Sequence, residues 1–327
     1  MNVGTLKVPG ATLRYEVRGS GPVLLLIPGG AGDAGLYEGM ADLLAAAGHT
    51  VVSYDQRGLS RRPLDGPLAD QLVAEWREDA LSVLDAVVPA GEQAYVFGSS
   101  SGAIVALDLL AAHPERVRRL VAHEPPLVEL LADPDPYRAH FAEVRELNRT
   151  QGLGPAMARF AEQPGEGPGE TPGEATSAPA AGTAATDAAA TDAVATDELA
   201  TGAVATGAVA TGTVAAGERG QQRPHAELPP SIRPMAARMT ANLPVFLEHV
   251  LCPFSSSRPD VGRLHAAAAK LILGVGRESA GQEALVGPAR RLAELTGAPT
   301  AEFPGGHVGC TEYPGEFAAL LLTAMRR

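Results

Sequence analysis

Residues 23–27 read VLLLI and run into Pro28, Gly29 and Gly30. Five consecutive apolar side chains ending at glycines are too few for a packed helix, and a half-buried strand would alternate. The run describes a strand covered on both faces, inside a sheet with helices above and below. The neighbouring segments fit around it. GTLKVP, 4–9, and TLRYEVR, 12–18, alternate about a Gly-Ala turn and predict an antiparallel hairpin. Further strands are expected at 49–55, 94–98, 117–124, 270–276 and 299–304. Apolar residues at helical spacing over 34–47, 69–87, 101–112, 285–295 and 316–325 lie between and after them. Strands alternating with helices predict an α/β fold: a mostly parallel, eight-stranded sheet with helices on both faces, led by the hairpin.

The alternation breaks between about 127 and 265. Helices are expected over 134–163 and 231–251. The second carries Met235, Met239, Leu243, Phe246 and Val250 on one face, and Pro244 is expected to bend or interrupt it. A helical excursion from such a sheet is expected to cap a site. This gives a core at 1–127 and 262–327 and a cap at 128–261. From Ala185 the chain repeats every five residues, as ATDAA ATDAV ATDEL ATGAV. Few large apolar side chains occur across 164–222, so a disordered, low-complexity insert in a tolerant loop is expected there.

Hydrophobic residues make up 45% of the chain and charged residues 20%, as in a globular protein. The balance of 26 basic and 38 acidic residues, net −12, disfavours nucleic-acid backbones and anionic membranes as partners. Cys252 and Cys310 form no C-x-x-C pair and read as free thiols in a reducing compartment, so neither a metal nor a cofactor is expected. The first residues lack the apolar core of a signal peptide, and no run of about 18 apolar residues occurs. The expected setting is cytoplasmic.

GSSSG, 98–102, follows one buried strand and opens an apolar helix. Alone it resembles a flexible linker, but YVF and AIVALDLL grip it on both sides. That is the context of a G-x-S-x-G nucleophile turn, where a serine on a sharp strand-to-helix bend needs glycines on both flanks. Only Ser100 stands two residues from both Gly98 and Gly102. The helix beginning at Ser101 aims free N–H groups at the turn, so the Ser101 amide is a candidate oxyanion donor.

With this turn placed, the chain resembles the α/β-hydrolase superfamily, in particular its capped, serine esterase-like members. PGGAGD, 28–33, stands where that family usually has His-Gly at its first oxyanion turn; here the histidine is replaced by Pro28. The resemblance implies the Gly30 amide as second donor, with Ala31 as its neighbour. DQRGLS, 55–60, is similar to the family's D-x-R-G-x-S turn, in which Asp55 and Arg57 are expected to tie loops together. FPGGHVG, 303–309, follows the last strand, and His307 alone among eight histidines sits in a glycine-flanked turn there, the family's place for the base. Two acids remain candidates. Glu124 ends a strand before Pro125-Pro126, where some relatives carry their acid. Glu278 lies one short of the more usual acid position, which Ser279 occupies. The resemblance implies a serine hydrolase acting through an acyl-enzyme on a small carboxylic ester, lactone or thioester with an apolar part. It also admits a non-catalytic ligand-binding homologue, or a triad-dependent carbon–carbon hydrolase or perhydrolase.

Overall fold

The computed structural model describes residues 1–61, 64–162, 164 and 233–326. The expected repeat insert at 164–222 therefore lies outside the described residues, save Pro164. Eight strands form one sheet: β1 (Asn2–Val8), β2 (Ala11–Arg18), β3 (Val23–Ile27), β4 (Thr50–Asp55), β5 (Ala94–Ser99), β6 (Val117–His123), β7 (Leu271–Gly276) and β8 (Thr300–Phe303). Their order across the sheet is β1-β2-β4-β3-β5-β6-β7-β8. The hairpin pairs antiparallel with Val8 opposite Ala11, and β2 pairs antiparallel with β4. Every other pairing is parallel. All five β3 side chains are buried, as their unbroken apolar character requires.

Helices cover both faces. On one, α1 (Glu38–Ala46) and the last helix, Pro314–Arg326, bury Tyr37, Met40, Leu44, Phe317 and Leu321 against Leu24, Leu26 and Phe97 of the sheet. On the other, α2 (Val73–Val87) and α3 (Ser101–Ala112) pack onto Leu25, Ile27, Val96 and Leu120. Helix α3 is apolar nearly all round because it is nearly all buried.

Between β6 and β7 the chain leaves the sheet as α4 (Asp135–Gln151), α5 (Leu153–Phe160), α6 (Arg233–His249), α7 (Leu251–Ser255) and α8 (Val261–Ala266). The helical segment expected over 134–163 falls into two helices, divided at Gly152, whose φ of 84° lies in the region open to glycine. Pro244 does not interrupt α6, which runs on to His249. Leu243, Phe246 and Leu247 are buried beside the proline, and that packing holds the turn despite the missing N–H. The chain returns through β7, α9 (Glu283–Thr296), β8, the short α10 (Gly309–Glu312) and α11 (Pro314–Arg326). No described helix is long and apolar enough to cross a membrane.

Candidate active site

The parallel strands end on one side of the sheet, where β5 gives way to α3 with no intervening loop. Ser100 makes that bend at φ 56° and ψ −129°, a conformation that costs a residue with a side chain of order 1–3 kcal/mol. Its flanking glycines are required by contact. A Cβ on Gly98 would sit 2.3 Å from the Gly102 carbonyl oxygen, and one on Gly102 would sit 2.3 Å from that of Ile27. The Ser100 N–H is held by the His123 carbonyl at 2.9 Å. Ser101 opens α3, so its N–H has no intrahelical acceptor.

The next strand leads into a carboxylate. Glu124 stands one residue past β6 at φ 47° and is fully buried. Its N–H bonds the Gly274 carbonyl at 3.0 Å, and its Oε1 accepts from the Gly276 N–H at 2.7 Å. Its Oε2 lies 2.8 Å from His307 Nδ1. Burial pushes the Glu124 carboxyl up. The His307 hydrogen bond, the nearby histidine charges and the Gly276 amide outweigh it and hold the group down at about 2. An ionised carboxylate only accepts, so His307 donates from Nδ1 and keeps Nε2 as its acceptor.

Ser100, Ser101 and His307 line one cleft, which is partly open to solvent. Glu278 is outside this cluster. It is exposed, and its Oε1 accepts from the Tyr313 hydroxyl at 3.5 Å. Ser279, at the usual acid position, is fully buried with an Oγ that has no partner among the described residues. Gly30 differs from the expectation of a free donor: its N–H donates to Ser101 Oγ at 2.8 Å. Ala31 gives its carbonyl to Asn242 Nδ2 at 2.9 Å. Asp55 and Arg57 do tie loops, each to a different partner. Asp55 accepts two bonds of 2.7 Å from Arg61, and Arg57 reaches Asp79 on α2 at 2.7 and 2.6 Å.

Several residues around the site escaped the sequence reading. His123 is fully buried between the two turns, with Nδ1 3.2 Å from Ser99 Oγ and edge contacts to Phe303 and Phe317. Burial, with the His307 charge, pulls it down to about 4, so it is neutral near pH 7. Arg238 and Asn242 on α6 clamp the loop after β3. Arg238 pairs with buried Asp33 through Nε and, at 3.2 Å, through its second nitrogen. Asn242 also accepts from the Ser60 N–H at 2.7 Å, while Ser60 Oγ donates to Asp33 at 3.0 Å. A polar i, i+4 pair beside the apolar stripe of α6 was the signal for them. The described walls of the cleft include Phe141, Phe160, Phe246 and Phe254, and of the stripe read on α6 they take in Phe246.

The family model for the alpha/beta hydrolase fold matches residues 22–164. An uncharacterised hydrolase of Bacillus subtilis, YraK, is 47% identical over 131 residues, 40% of this chain and 47% of that protein. The zearalenone hydrolase of Bionectria ochroleuca is 34% identical over 128 residues, 37% of this chain and 47% of that protein. The matches thus span about half the length of these curated relatives. Among solved structures, a thermophilic esterase from Thermogutta terrifontis superposes with a TM-score of 0.66 at 13% identity, covering 100% of this chain and 98% of the other.

Proposed function

On the match of residues 22–164 to the family model for the alpha/beta hydrolase fold, we propose that this chain is a serine hydrolase of a small, partly apolar carboxylic ester or lactone, working through Ser100, His307 and Glu124. The observation that carries this reading is the buried Glu124–His307 pair on the same cleft as the strained Ser100 turn. Glu124 fixes the tautomer of His307 and stabilises the imidazolium. His307 Nε2 takes the proton of Ser100 Oγ as that oxygen bonds to the substrate's carbonyl carbon. The carbonyl π-electrons move to its oxygen, which the Ser101 and Gly30 amides receive, each contributing about 3 kcal/mol. Ser101 Oγ releases the Gly30 N–H at this step. The carbonyl re-forms, the C–O bond to the alcohol breaks, and His307 returns the proton to the departing alkoxide. Water then attacks the acyl-enzyme, giving one proton to His307. The bond to Ser100 breaks, Ser100 regains its proton, and the carboxylic acid leaves.

The helices between β6 and β7 serve as the cap, whose phenylalanines cover the cleft. Being named hydrolases, the curated relatives support the reaction class. The test is hydrolysis of short and medium-chain p-nitrophenyl esters. Turnover by the parent and its loss in Ser100→Ala support the reading; equal turnover by both overturns it.

A further inference from the structure

Aromatic residues are scarce in this chain, and their placement is uneven. Of seven phenylalanines, Phe97, Phe303 and Phe317 pack together beneath the sheet, and the other four line the cleft. Those four come from four different helices, so no single amphipathic stripe explains their meeting. Three of them form a connected row. Phe141 and Phe160 have ring centroids 6.2 Å apart, Phe160 and Phe246 6.4 Å. Phe254 is held edge-on by buried Trp76 at 4.8 Å. Fixed ring faces and edges of this kind favour a flat, ring-bearing ligand over a flexible chain.

Two polar side chains interrupt the apolar wall. His140 is 3% exposed, lines the cleft, and its Nδ1 has no partner among the described residues. Burial holds its pKa below the ordinary histidine value, so the ring is neutral and offers one donor and one acceptor. Gln282, also on the wall, has a buried Oε1 likewise without a partner. Buried polar atoms left unpaired cost about 1–3 kcal/mol each. A purely hydrocarbon ligand would seal them in that state, whereas a hydroxyl, which both donates and accepts, relieves it. Apart from His307, the one ionisable described lining residue besides His140 is Glu162, which is exposed. None of the described lining residues is an arginine or lysine that could receive a carboxylate.

We propose that this cleft selects an uncharged ester or lactone whose apolar part is a flat ring carrying a hydroxyl, with His140 and Gln282 as the groups that read the hydroxyl. This rests on the serine-hydrolase reading of the same site. The ring can lie on the acyl or the alcohol side of the carbonyl, so two probe series are needed: methyl 3-phenylpropanoate against its 4-hydroxyphenyl analogue, and 2-phenylethyl acetate against 2-(4-hydroxyphenyl)ethyl acetate. Methyl hexanoate and hexyl acetate serve as the alkyl references.

With the parent, kcat/KM for the hydroxylated member of at least one series is expected to exceed its unsubstituted partner by about ten-fold or more. Both aryl members should exceed the alkyl ester. In His140→Phe and in Gln282→Met the hydroxyl/unsubstituted ratio is expected to fall towards one. A His140→Asn variant, which restores a donor and an acceptor, should recover part of it. Equal turnover of hydroxylated and plain esters in both series, or a ratio untouched by both substitutions, overturns the proposal while leaving the hydrolase reading intact. So does labelling of Ser100 by a fluorophosphonate without turnover of any probe. Absence of both labelling and turnover overturns the hydrolase reading and this proposal with it.

Discussion

The end of the sheet and the helices above it hold their candidate site side chains by different means. At the sheet, Ser100 and Glu124 sit in left-handed backbone conformations that main-chain bonds enforce: Ser100 N–H to His123, Glu124 N–H to Gly274, and the Gly276 N–H to the Glu124 carboxylate. Above it, position is set by side chains: the aromatic wall, and the Arg238 and Asn242 clamp onto the loop of Asp33 and Ala31. Backbone-held groups are suited to chemistry that tolerates little displacement, and side-chain-held groups to a surface that can change with its ligand. Substitutions at the sheet should therefore strike turnover, and substitutions in the helices should strike substrate choice and the junction between the layers.

The sharpest way to break this contrast is at the acid. Glu124→Gln is expected to lower kcat on an ester by roughly 10³- to 10⁴-fold, because the amide no longer enforces the Nδ1–H tautomer of His307. Glu278→Gln, on the exposed side of the same loop system, should change kcat by less than about two-fold; steady-state kinetics of the two variants decides it. Next in size is the junction. Asn242→Leu removes the bonds to Ala31 and to Ser60, and should cost about 2–3 kcal/mol in urea unfolding. It should also lower kcat/KM about ten-fold by loosening the loop that carries Gly30. Undisturbed kinetics in that variant would mean that the loop is positioned from the sheet alone.

Acidity sharpens the same comparison. The His123 pKa is held down at about 4, against an ordinary 6.5, so its neutral form stabilises the fold. That contribution is complete above pH 6.5 and is lost as pH falls to about 4. For Glu124, held down at about 2 against 4.5, the contribution is complete above pH 4.5 and is lost as pH falls through 2. Between pH 6.5 and 4.5, where Glu124 is ionised folded or unfolded, the unfolding free energy of His123→Gln should fall less steeply than the parent's, by up to about 1.4 kcal/mol per pH unit. A small effect is also expected at Ser101→Ala. It frees the Gly30 N–H and keeps the Ser101 amide, so kcat on an ester should move by less than about three-fold.

The sheet was legible in the sequence because its requirements are local. An unbroken VLLLI can only be a strand covered twice, and GSSSG between apolar runs needs both glycines, as the 2.3 Å approaches at Gly98 and Gly102 explain. The pairing of Glu124 with His307 joins positions 183 apart, and sequence spacing carries no information on it. Ser279 at the usual acid position was legible as a departure from the pattern, and Glu124 and Glu278 both stood as candidate acids. His123 went unremarked because a buried neutral histidine inside a strand looks like any core residue. The stripe of Met235, Met239, Leu243, Phe246 and Val250 on α6 was legible, and Phe246 of it lines the cleft. The cleft is walled by phenylalanines from four helices, a meeting that no single period reveals. Pro244 was read as a bend or an interruption because its local cost is plain, whereas the packing that offsets it is tertiary.

The central claim is that Ser100 is a nucleophile activated by a histidine that Glu124 orients. Intact-mass spectrometry after exposure to a fluorophosphonate tests it most directly, on the parent, Ser100→Ala and Glu124→Gln. One adduct mapping to Ser100 in the parent, none in Ser100→Ala, and labelling slowed at least a hundred-fold in Glu124→Gln are expected. An unlabelled parent, or equal labelling of all three proteins, would contradict the account.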